Sequence, residues 1–164
     1  MTQPDRLKLD GLVEQPLELG FEDLAQFPES AHIRDVSRYH PQRKGDGVLF
    51  EAILERARPL PEANYITLHA DRDDFHVSIP LAPVRSEGIV VYQRDGLALA
   101  VEQGGPIRFL IKNPSVCQTG ELDECANVKY LSRIEITVRK GRDTRPQDEA
   151  AHAELHRSQA GETL

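Results

Sequence analysis

A chain of 164 residues, 39% hydrophobic and 29% charged, has the length of one domain and enough apolar material for a real core. Its 27 acidic against 20 basic residues leave a formal charge of −7, a balance that repels phosphate backbones and excludes a general nucleic-acid binder. The longest apolar runs fall far short of the roughly 20 residues that cross a bilayer, and the N-terminus carries no basic and apolar leader pattern, so a cytoplasmic protein without membrane contact is expected.

Leu7, Leu9, Leu12 and Val13 around Gly11, followed by Leu17 and Leu19, predict two short strands with a turn at Glu14 and Gln15. Phe21, Leu24 and Phe27 share one face of a short helix that Pro28 stops. A strand is expected over residues 32–36 and a loop over residues 38–47, which hold a proline, two glycines and four basic side chains. The spacing of Val48, Leu49, Ala52, Ile53 and Ala57 predicts an amphipathic helix over residues 48–58, closed by Pro59. Alternating, β-branched residues 64–70 and 75–79, divided by the acidic turn at Asp71, Asp73 and Asp74, predict a hairpin. Further strands are expected at residues 89–93, 97–101, 107–111 and 134–138. From Lys140 the chain becomes polar, which divides it into a domain over residues 1–139 and a tail over residues 140–164. Scattered strands with two or three short helices predict an α+β fold with a mixed, mostly antiparallel sheet core.

Several of these blocks, taken in order, carry more information than any one alone. They are residues 9–19, the helix ending at Pro28, Gly47-Val48 leading to Ile53-Leu54, residues 63–69, Ser78-Ile79-Pro80-Leu81, Gly104-Gly105-Pro106-Ile107-Arg108 and residues 128–134. Over roughly residues 7–138 the series resembles the core of the sulfite oxidase family of molybdopterin-dependent oxidoreductases. The resemblance implies that family's fold and a pocket for its pterin cofactor. It assigns the holding of the pterin phosphate and ring to Arg108, to Gln103 with Gly104 and Gly105, and to Asn127, Val128 and Lys129. An arginine fork and a lysine beside a glycine turn suit a phosphate, because they pair charge with close approach of backbone N–H groups.

Three departures from the family stand out. The family's molybdenum-ligating cysteine, about a dozen residues before the glycine that opens the next helix, corresponds to Asp35, and no cysteine precedes Cys117. A carboxylate binds hard, high-valent metals but is not a soft thiolate, so the exchange is not neutral. Full-length members also carry an N-terminal stretch that helps enclose the cofactor, so a pocket open on one side is expected. Residues 113–127 replace a shorter glycine-aromatic turn and are expected to reshape the rim. Two functions from different classes follow. One is a degenerate anion- or small-molecule-binding or accessory domain. The other is an active molybdopterin-dependent oxidoreductase acting on sulfite- or sulfoxide-type substrates through a non-cysteine ligand.

Arg34, Arg38, His40, Arg43 and Lys44 form the one local basic cluster in an acidic chain, beside the position of the missing thiolate, and are candidates to bind a small anion. Cys117 and Cys125 sit eight apart in an acidic loop and fit a reduced pair, a local disulfide or, less simply, a redox or metal role; their spacing does not fit a zinc site. His69 and His76 flank the hairpin turn and face one another across two strands in one register. They are read as hydrated surface rather than a metal site, and His152 and His156 as part of the polar tail. No resident metal is predicted from these clusters. Few aromatics and no tryptophan predict a monomer or weak dimer.

Overall fold

The computed structural model describes residues 6–40, 43–112 and 127–144. In chain order its strands and helices are β1 (Leu7–Gly11), β2 (Leu17–Leu19), α1 (Phe21–Ala25), β3 (His32–Ile33), β4 (Asp46–Leu49), α2 (Phe50–Ala57), β5 (Tyr65–Ala70), β6 (Phe75–Pro80), α3 (Leu81–Glu87), β7 (Gly88–Arg94), β8 (Leu97–Ala98), β9 (Arg108–Ile111) and β10 (Arg133–Thr137). The expected α+β class with mostly antiparallel sheets is what forms, as two five-stranded sheets rather than one.

The first sheet runs β2-β1-β10-β5-β6, and its only parallel pair among the described strands is β1 with β10. In the second, β3, β4 and β7 lie side by side. Seven-residue β7 gives one edge to β4 and the other to β9 at residues 88–91 and β8 at residues 93–94. Alternation along each strand sends one set of side chains into the main core, where Leu7, Leu9, Ile66, Leu68, Ile134 and Ile136 of the first sheet meet Val90, Tyr92, Phe109 and Ile111 of the second and Phe50, Ile53 and Leu54 of α2. The opposite face of the second sheet carries a smaller cluster of Ile89, Val91 and Leu110 with Val36 and Leu99.

Four elements depart from expectation, one of them the strand expected over residues 97–101, which stops at Ala98 before a tight turn over Val101–Gln103. The helix expected from residue 48 begins at Phe50, because Val48 and Leu49 pair with β7 before the chain turns helical. The strand expected over residues 32–36 stops at Ile33, since Asp35 takes a left-handed φ of 66° and starts a tight turn over Val36–Arg38. Helix α3 was not expected; Pro83 in its first turn conceals it in the sequence, although proline is tolerated there. The hairpin forms with His69 opposite His76. Among the described residues no helix is long and apolar enough to cross a membrane.

Candidate functional site

Arg108 opens β9 on the face of the smaller apolar cluster, paired in register with Val91 and two residues before Leu110. Its neighbour Phe109 points the other way, into the main core, where its ring meets Phe50 edge-on at 5.5 Å. This alternation buries a guanidinium: Arg108 is only 5% exposed. One arm, Nη1, donates to the Gln103 carbonyl at 2.9 Å, while Nε is buried without a hydrogen-bond partner among the described residues. Burial first, then the neighbouring Arg43 cation, push the guanidinium down to about 10. A buried cation with a second cation nearby is unfavourable unless negative charge offsets it.

The turn before β9 shapes the wall. Gly104 has a φ of +88°, and a Cβ there would stand 2.9 Å from both Arg108 Nη1 and Lys129 Cγ, so absence of a side chain is what lets these residues close on the turn. Gly105 precedes Pro106 in a cis peptide and packs against Leu99. The Gly104 carbonyl accepts from the Tyr130 amide at 2.9 Å, tying the turn to the segment before β10. Within that segment Asn127 Oδ1 accepts from the Ile111 amide at 2.8 Å and Val128 pairs with Phe109. Gln103, Gly104, Gly105, Arg108, Asn127, Val128 and Lys129 therefore gather around the start and end of β9. Gly104→Ala is expected to cost about 1 kcal/mol or more of stability and to splay Arg108 from Lys129; urea melts and anion titration check both.

The basic cluster divides. His40 bonds through Nε2 to the Ile111 carbonyl, which anchors the loop at the far end of β9, and Arg43 lies close enough to Arg108 to oppose its charge. Lys44 turns toward Asp35. Arg34 is spent on a two-pronged contact with Glu29, 2.8 Å from each oxygen, and on Asp46 at 3.4 Å, and Arg38 folds back on the Arg34 carbonyl. Of the five candidates only Arg43 joins Arg108 electrostatically. Two contributors escaped sequence reasoning. Tyr130 takes a φ of 56° and offers its ring to the Arg72 and Lys129 cations. Asp46 accepts from the Asp35 amide, Arg34 and Gln93 and so braces the loop. Neither carries a sequence signal, because both depend on long-range placement.

Asp35 occupies the turn itself. Its Oδ1 accepts from the Ser37 hydroxyl at 2.6 Å and the Ser37 amide at 3.1 Å, and these bonds hold its exposed carboxyl below the usual carboxylate range. A molybdenum ion fits less well at Asp35, since Oδ1 of this carboxylate is already bonded to its own turn and no soft donor stands there. Cys117, Cys125, His152 and His156 lie outside the described residues.

Comparison with known proteins places the fold in a family. The oxidoreductase molybdopterin binding domain family matches residues 42–144, a span that holds Arg43, Arg108 and Lys129 but not Asp35. An uncharacterized oxidoreductase, YuiH of Bacillus subtilis (strain 168), is 32% identical over 107 residues, covering 62% of this chain and 54% of that protein. The chain thus spans about half the length of the curated relative it matches. The sulfane dehydrogenase SoxCD of Paracoccus pantotrophus superposes with a TM-score of 0.61 at 24% identity, over 85% of this chain and 40% of the other, a likeness of fold. By fold, and by a match over more than half its length, the chain belongs to the oxidoreductase molybdopterin binding domain family.

Proposed function

We propose that this member of the family binds a small phosphate-bearing anion at the Arg108 turn and acts as a binding or accessory domain rather than a thiolate-based redox enzyme. The observation that carries this is the Arg108 Nε, buried and without a partner among the described residues, beside a second cation. Leaving a donor of that strength unmet costs free energy, which an incoming oxyanion returns as a charge-assisted hydrogen bond. The bare Gly104 lets Arg108 and Lys129 close on the turn, Arg43 adds a further positive charge, and among the described residues no carboxylate pairs with Arg108. The Asp35 turn supports the second half of the proposal, because its side chain is committed to Ser37.

Titration calorimetry with inorganic phosphate, and with sulfate as a second oxyanion, tests the site directly. Binding should weaken with salt, as expected for a cationic pocket. Arg43→Ala should lower affinity by about threefold to tenfold, the range of a solvent-facing charge. Phosphate affinity that is absent in the parent chain, or indifferent to Arg43 and Arg108 together, overturns the assignment.

A further inference from the structure

The outward face of the first sheet bears a run of polar side chains that the pocket does not use. The parallel register Lys8↔Arg133 and Asp10↔Glu135, with Arg133↔His69 and His69↔His76, lines them up across four strands. Arg133 Nε donates to Asp10 at 2.9 Å, and its Nη2 lies 3.6 Å from Glu135. Glu135 Oε1 is 3.0 Å from His69 Nε2, and His69 Nδ1 is 2.8 Å from His76 Nδ1. His76 Nε2 is 2.8 Å from Asp74, which Arg142 Nη2 approaches at 3.4 Å. The histidine side chains are 13% and 7% exposed, so this is no hydrated surface pair.

Carboxylates only accept hydrogen bonds, so each histidine must present an N–H at Nε2. A neutral imidazole protonated there has a bare lone pair at Nδ1, and two bare lone pairs 2.8 Å apart repel. A metal ion midway would need nitrogens about 4 Å apart, twice an ordinary zinc–nitrogen bond. One proton fits the observed spacing. Charge agrees: Asp10, Glu135 and Asp74 outnumber Arg133 and Arg142 by one, and a single positive charge on the histidine pair balances the row. Lys8 of β1, Asp71, Arg72 and Asp73 of the hairpin turn, and Arg139, Lys140 and Asp143 after β10 are further ionisable groups on the elements that carry the row.

The same row touches the segment after β10. The Gly141 amide donates to Ser78 Oγ at 2.7 Å, the Thr144 amide to the His76 carbonyl at 2.8 Å, the His76 amide to Thr144 Oγ1 at 2.9 Å and the Ser78 amide to Asp143 Oδ2 at 3.2 Å. Residues 141–144 therefore strap the outer edge of β6, covering donors that an open edge would present to other chains. We infer that His69 and His76 share one proton and that the resulting monocation, held between Glu135 and Asp74, latches this strap onto β6. Removing the proton sets two lone pairs against each other, and adding a second sets two N–H groups against each other; either change turns the rings and loosens the Asp74–Arg142 contact.

Side-chain nitrogen NMR and amide hydrogen exchange on the full chain test this together. Three ring protons across the four ring nitrogens are expected near neutral pH. Protection of the Thr144 and Gly141 amides should fall at least about tenfold, after correction for intrinsic rate, both on acidification and on alkalinisation away from neutrality. It should also fall in His69→Phe, which keeps His76, Asp74 and Arg142. Amides of β1 and β10 serve as the internal reference, and if the variant does not fold, exchange in the parent chain across pH decides alone. Only two ring protons near neutrality, or strap protection indifferent to pH, overturns the latch.

Discussion

Arg108→Met is expected to abolish phosphate binding while raising the stability of the ligand-free protein. The guanidinium sits 5% exposed, opposed by Arg43 and pushed by burial down to about 10. A shift of that size corresponds to a penalty on the order of 3 kcal/mol for keeping the group charged in the folded state. Methionine has a similar length and no charge, so it fills the space over Leu110 and Val91 without that penalty. The sign of the pH dependence follows from the same displacement. A cation whose folded-state affinity for its proton is depressed destabilises the fold below that value, so parent stability should rise with pH above about 10 until the unfolded chain also loses the proton. The variant should lack this rise. Urea melts of both proteins at neutral and alkaline pH, with a phosphate titration at neutral pH, read all three effects. A less stable Arg108→Met protein would show instead that the arginine holds the fold together.

Phe109→Ala should be the most damaging single change on β9. The ring is fully buried, meets Phe50 edge-on at 5.5 Å, and lies so close to Gly88 that a Cβ there would be 2.5 Å from its Cζ. Deleting it leaves a cavity between α2 and the second sheet, a loss of about 3–5 kcal/mol. Because Phe109 also exchanges backbone hydrogen bonds with Val128, the variant should loosen the segment carrying Lys129 and weaken phosphate binding along with stability. Chemical denaturation measures the first effect and calorimetry the second. A loss under 1 kcal/mol would mean that α2 can collapse onto β9.

The hairpin of β5 and β6 was legible because β-branched alternation and an acidic turn agree on one register, and that register alone brings His69 opposite His76. The start of α2 was not legible: Val48 and Leu49 satisfy a helical stripe as well as a strand, and only pairing with β7 decides. Asp35 ended its strand through a left-handed backbone that a strand-like pattern from His32 to Val36 does not reveal. At the site, the glycine turn and Arg108 could be named only through the family resemblance. In the sequence alone an arginine in an alternating strand reads as solvent-facing, and its burial depends on Leu99, Val36 and the basic loop closing over that face. The basic cluster was visible as a cluster, yet its division was not, because Glu29 and Asp46 take up Arg34 from outside the loop.

That this chain acts as a binding domain and not as a molybdenum enzyme is the central proposal, and metal analysis tests it most directly. The full chain would be made in a host that synthesises molybdopterin, and molybdenum and released pterin fluorescence would be measured per protein, in the parent and in Asp35→Cys. The parent is expected to hold no stoichiometric molybdenum, whereas the cysteine variant, given a soft ligand at the position where the resemblance puts the family's cysteine, is expected to gain some. Near-unit molybdenum with pterin in the parent would contradict the claim and make this chain an oxidoreductase with a carboxylate at the metal position.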